Sequence, residues 1–112
     1  MTMKELTIKA SEMEWKDSLE YPKGTQEKML TEGTDVMPRA IMLKIPHDWS
    51  MNSHSHVVAE LHYVLEGSYE TNGETHRAGT FRVIPAHTEH GPYSSKTGAV
   101  ILVTWCRRPE TK

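Results

Sequence analysis

At 112 residues the chain has the length of one domain, and a net charge of −2 with Lys and Arg scattered along it leaves no basic footprint for nucleic acid. The single cysteine, Cys106, excludes an internal disulfide and makes a cytoplasmic setting the default. No apolar leader follows the first residues, and the longest aliphatic run, residues 99–103, is far too short to cross a bilayer, so no membrane partner is expected.

In chain order, residues 6–10 offer a first β signal. Ser11, with Glu14 three residues on, has the spacing of a capped helical turn over residues 11–17. Residues 26–30 offer a second β signal. Arg39 to Ile45 alternates so that Ile41, Leu43 and Ile45 share one face between Pro38 and Pro46, which predicts a strand. Residues 56–65 predict another, with Leu61, Tyr63 and Leu65 on one side and His56, Glu60, His62 and Val64 on the other. Asn72-Gly73 suits the positive-φ positions of a type I′ turn and predicts a hairpin joining residues 68–71 to residues 74–77. Residues 80–84 and Ala99 to Trp105 complete the apolar strands. No segment offers the crossover helices of a parallel sheet, so about eight short strands predict an all-β, antiparallel sandwich or barrel.

Seven histidines against one phenylalanine make the composition unusual, and imidazole is both the commonest metal ligand and the physiological acid or base. In His54-Ser55-His56-Val57-Val58-Ala59-Glu60, residues two apart on a strand point the same way, so His54, His56 and Glu60 share one parity. Two imidazoles and a carboxylate suit Fe(II), Mn(II), Ni(II), Cu(II) or Zn(II). A fourth ligand is expected from Pro85-Ala86-His87-Thr88-Glu89-His90, where His87 and His90 are the two choices. His62 shares parity with Glu60 and is the candidate catalytic residue, as a proton shuttle or a partner of the ligands. His47 and His76 flank turns and are expected to be solvated.

These two clusters resemble the motifs of the cupin superfamily. The first, G(X)5HXH(X)3-4E(X)6G, is matched by His54, His56, Glu60 and Gly67, with Asp48 in the opening glycine position. The second, G(X)5PXG(X)2H(X)3N, is matched by Gly79, Pro85 and His90, with His87 at the middle glycine and Ser94 at the asparagine. The resemblance implies a double-stranded β-helix (jelly-roll) barrel over about residues 39–105, preceded by an N-terminal arm over 1–38. It also implies one divalent metal ion held by His54, His56, Glu60 and His90, and pairing as a homodimer with residues 6–10 crossing to the partner. Trp15, Pro22-Lys23-Gly24 and residues 63–67 are similar to the subgroup holding anti-sigma-factor cupin domains and small diketone-cleaving dioxygenases.

Met42, Trp49, Met51, Arg82 and Tyr93 are the candidate pocket residues, with Arg82 a potential anchor for a carboxylate or enolate. Four protein ligands leave two positions of a six-coordinate ion for a small-molecule substrate. With Fe(II), the leading expectation is a dioxygenase acting on a diketone, hydroxyketone or enediol. The rivals are a non-redox metal-dependent isomerase or lyase on a sugar or carbonyl compound, and a zinc-binding sensing module without catalysis.

Overall fold

A computed structural model of the protein describes residues 4–55 and 57–106. Among the described residues a 3-10 turn at Ala10–Glu12 is followed by nine strands: β1 (Lys16–Asp17), β2 (Gln26–Thr31), β3 (Arg39–Ile45), β4 (Trp49–Met51), β5 (Glu60–Thr71), β6 (Glu74–Arg77), β7 (Phe81–Ile84), β8 (Tyr93–Ser95) and β9 (Ala99–Trp105). All pairings are antiparallel. The sheet runs β1-β2-β3-β9-β5-β8-β4, with β6 and β7 both pairing β5. No helix among the described residues is long and apolar enough to cross a membrane.

The alternation of β3 decides which face is covered. Ile41, Leu43 and Ile45 are buried and oppose Val103, Ile101 and Ala99 of β9, which are buried too. Full burial of each such aliphatic side chain stabilises by about 1.5–3 kcal/mol, so these rows form the base of the core. Val64, Tyr69, Trp49, Tyr93 and Trp105 complete it.

Strand β5 carries the site, and its length matters. Its first half pairs β9 and β7, and its second half pairs β6 and β8. A register shift against β9 between Val64 and Glu66 separates the halves. Before that bulge the even residues Glu60, His62 and Val64 are buried; after it the odd residues Tyr69 and Thr71 are. One extra residue thus reverses parity and turns both halves toward the same interior.

The Asn72-Gly73 turn joins β5 to β6 as expected, with φ of 52° and 78°. Gly67, in β5 just past the bulge, meets Gly98, which precedes β9: a Cβ on Gly67, at φ 69°, would stand 2.1 Å from the Gly98 carbonyl oxygen. Only a residue without a side chain fits there.

Four expectations are corrected. Residues 6–10 form no strand, and the 3-10 turn at Ala10–Glu12 has Lys9 at its N-cap position without a side-chain cap, with Ser11 inside the turn rather than capping it. The expected strand over 56–65 begins instead at Glu60, because residues 57–58 bend and His54 makes only an isolated bridge. His76 is half-buried against the Tyr69 ring, 5.2 Å between centroids, rather than fully solvated, because the bulge in β5 turns Tyr69 toward it.

Candidate metal centre

His54, Glu60 and His90 arrive by different routes. Glu60 is the first residue of β5, and its carboxylate is buried at 2% exposure. His54 and His90 lie on separate loops that pair with each other: His54 N–H donates to His90 O at 3.0 Å and His90 N–H donates to His54 O at 2.8 Å. That bridge brings their rings to a centroid separation of 4.1 Å. One ligating atom from each of the three residues lies within 4.8 Å of the others, a group that could hold a metal ion. Convergence comes from this bridge and the bend at 57–58, not from one strand's parity. His56 lies outside the described residues.

The Glu60–His90 pair fits an ion on its distance. Glu60 Oε2 and His90 Nε2 stand 3.8 Å apart, beyond hydrogen-bond range. Two donors each about 2.1 Å from one ion would stand between about 3.0 and 4.2 Å apart as their angle opens from a right angle to a straight line. The other ring nitrogens face protein oxygens. His54 Nδ1 lies 3.4 Å from the Asn52 carbonyl oxygen, and His90 Nδ1 meets the Tyr93 hydroxyl.

Behind Glu60 runs a chain of polar groups. His62, 6% exposed, places Nε2 2.6 Å from Glu60 Oε1 and Nδ1 2.7 Å from the Tyr69 hydroxyl. Arg82 Nη1 donates to that same hydroxyl at 3.1 Å. A neutral His62 satisfies every link, with Nε2–H donating to the carboxylate, Tyr69 O–H donating to Nδ1 and Arg82 donating to Tyr69. Burial pushes the Tyr69 hydroxyl above its ordinary value, with Glu60 adding and the Arg82 guanidinium opposing. Burial pushes Tyr93 up to about 12, with Tyr69 and Glu60 adding and Arg82 opposing. Both phenols therefore keep their protons at neutral pH.

The cluster lines a cavity of about 20 Å³ walled by Trp49, Met51, Ile101 and Val103 among others. That volume holds about one water-sized group. Trp49, Met51 and Tyr93 line it as expected. Met42 does not: Ile41 and Leu43 point inward, so Met42 points out and lines a surface groove with Trp15 and Leu65. Arg82 faces inward but stops behind Tyr69, its guanidinium 5.8 Å from that ring's centroid, so it braces Tyr69 rather than reaching the cavity.

Tyr69 and Tyr21 line the cavity without having been expected there. Nothing in an alternating pattern signals Tyr69, because the bulge reverses its parity. Tyr21 sits in a loop that packs on the core from outside the sheet's regular rows. The two glycine positions filled by other residues keep the glycine backbone: Asp48 has φ 55° and His87 φ 59°, in the left-handed region that Asp and His tolerate better than most side chains. His87 is exposed and stays outside the cluster, as does His47, which pairs with Asp48 at 3.0 Å.

No curated protein matches the sequence. Solved structures do match the fold. The acetylacetone dioxygenase of Acinetobacter johnsonii superposes with a TM-score of 0.75 at 15% identity, covering 94% of this chain and 74% of that one. The polyketide cyclase RemF of Streptomyces resistomycificus gives 0.72 at 20% identity, covering 97% and 83%. The complex of SigE with the anti-sigma ChrR from Rhodobacter sphaeroides gives 0.69 at 21% identity, covering 87% of this chain and 51% of that one. At these identities the likeness establishes a cupin β-barrel and not a shared activity. The family described as the ChrR cupin-like domain matches residues 3–107, nearly the whole sequence, and the chain belongs to that family.

Proposed function

We propose that this protein is a metal-dependent enzyme, a non-haem Fe(II) dioxygenase acting on a small oxygen-chelating diketone, hydroxyketone or enediol. The carrying observation is the His54, Glu60 and His90 cluster in the wall of a largely apolar cavity. His56 is the proposed fourth ligand. A bound Fe(II) would supply a positive centre for a chelating oxygen pair and a site for reaction with O2.

The protein's own groups do the rest. Donation of Nδ1–H by His54 to Asn52 and by His90 to Tyr93 leaves Nε2 of each as the ligating atom. His62 holds the Glu60 carboxylate in place at 2.6 Å and acts as a positioning residue. The walls of Trp49, Met51, Ile101 and Val103 exclude bulk water, which strengthens electrostatic contacts inside. Similarity to an acetylacetone dioxygenase favours the same substrate class. The test is oxygen consumption by iron-loaded protein across a panel of diketones and hydroxyketones. The expected result is uptake with at least one, abolished by Glu60→Ala. Turnover of a carbonyl compound or sugar without O2 would select a non-redox isomerase or lyase instead.

A second reading has one observation in its favour: membership of the ChrR cupin-like family, with the Rhodobacter sphaeroides ChrR–SigE complex among the matching structures. In that reading Zn(II) fills the site and the domain senses a ligand without turning it over. Tight zinc together with inertness across the panel would favour it. A homodimer in the cytoplasm belongs to the same proposal. Its support is an outward row of apolar side chains, Tyr63, Leu65, Phe81 and Val83, all 39–59% exposed, and a free Cys106 suited to a reducing compartment.

A further inference from the structure

The inner cavity of about 20 Å³ is too small for a diketone by itself, so a chelating molecule must extend outward from the cluster. Immediately outside lies an open vestibule of about 490 Å³, with Pro22 and Trp105 among its walls. Three residues line both spaces: Tyr21, Met51 and His54. His54 belongs to the donor cluster, which leaves Tyr21 and Met51 as the walls of the neck between the two.

Those two walls differ in stiffness. Tyr21 stands in a loop fixed at several points. Ser18 N–H donates to Thr25 O at 2.9 Å, while Ser18 Oγ accepts from Glu20 N–H at 3.2 Å and Tyr21 N–H at 3.1 Å. Thr25 Oγ1 donates to Pro22 O at 2.7 Å and accepts from Trp49 Nε1 at 2.9 Å, which ties the loop to the cavity wall itself. Arg39 donates to Glu20 at 3.4 Å and lies over the Trp105 ring, tying the loop to the vestibule floor. Met51, by contrast, has an unbranched side chain that adapts to its surroundings.

We propose that Tyr21 is a specificity-determining residue, a fixed constriction that admits the small chelating end of a substrate to the donor cluster and turns away molecules carrying bulk next to their ligating atoms. This rests on the reading that the cluster holds a metal ion. It assigns the substrate a narrow head, seated inside, and a tail that lies in the vestibule between Pro22 and Trp105.

The experiment is binding of imidazole and of 2-phenylimidazole, whose phenyl group adjoins both ring nitrogens, to Co(II)-loaded protein, followed by visible absorption of the cobalt, so that no turnover is needed. The wild type and Tyr21→Phe are expected to prefer imidazole by about tenfold or more, since a steric wall is worth that much discrimination. Tyr21→Ala is expected to reduce the preference at least about threefold relative to wild type by admitting the phenyl group. Tyr21→Leu keeps apolar packing in the loop and carries the same comparison if the alanine variant does not fold. An unchanged preference in whichever of these two folds, with cobalt bound, overturns the constriction alone. Failure of cobalt to bind the wild type overturns the metal reading and the constriction with it.

Discussion

His54 and His90, far apart in sequence, hold each other by a reciprocal pair of backbone hydrogen bonds of 3.0 and 2.8 Å. The bridge fixes two imidazoles relative to one another before any ion arrives. It leaves the Glu60 carboxylate, presented by the first residue of β5, to complete the group.

Removing the ion should therefore loosen the protein. An ion present at about 100 times its dissociation constant stabilises the folded state by about 2.7 kcal/mol. For a chain of this length that corresponds to a melting temperature about 10–20 °C higher. Thermal unfolding with and without a chelator measures it, and coincident melting curves would contradict it.

His62 holds Glu60 at 2.6 Å, so its loss should be felt at the ion. His62→Phe is expected to weaken metal affinity by about 10- to 100-fold, measured against a competing chromophoric chelator. Tyr69→Phe, which removes only the next link of the chain, should weaken it less. Equal affinity in His62→Phe and wild type would remove His62 from a positioning role.

Gly67, in β5, is the glycine least tolerant of a side chain. An added Cβ would sit 2.1 Å from the Gly98 oxygen at a backbone angle unfavourable to alanine. Gly67→Ala is expected to destabilise by at least about 2 kcal/mol in urea unfolding. Gly73→Ala, whose Cβ would meet nothing within 4 Å, should cost less.

Burial holds the His76 imidazole below its ordinary value, with the Arg82 guanidinium adding to the shift and Glu74 opposing it. The folded pKa is depressed, so the unfolded chain takes up the proton first as pH falls. Stability contributed by neutral His76 is full above the unfolded value of about 6.5 and declines as pH drops from there toward the folded pKa. His76→Gln should flatten the fall in melting temperature between about pH 7 and 5.5 relative to wild type. Parallel curves for the two proteins would contradict this.

The apolar row on β5 and β7 makes a prediction about assembly. Tyr63 pairs with Phe81 in register, and both are exposed. Light scattering should report a dimer for the wild type and a monomer for Phe81→Lys, whereas a dimer that survives deletion of residues 1–10 would exclude an exchanged N-terminal arm. A monomeric wild type would reject the dimer altogether.

Where a local pattern decided the backbone, the sequence was sufficient. The alternation of Arg39–Ile45 and Ala99–Trp105 became β3 and β9 with the expected bounds, and Asn72-Gly73 became the hairpin turn. Asp48 and His87, standing where glycines were expected, adopt the glycine conformation, so the loop shape outlasts the residue type. What escaped was long-range. His54 and Glu60 converge through a bend and a bridge to His90 that no strand parity describes. Tyr69 turns inward because of a bulge whose cause lies in the pairing with β9, and Tyr21 reaches the cavity from a loop stitched together by Ser18 and Thr25.

The most direct test is elemental analysis of protein purified without added metal, beside Glu60→Ala prepared identically. About one iron per chain in the wild type, lost in the variant, is the predicted result. A wild-type protein that carries no more bound divalent metal than Glu60→Ala would contradict the metal centre on which the functional reading rests.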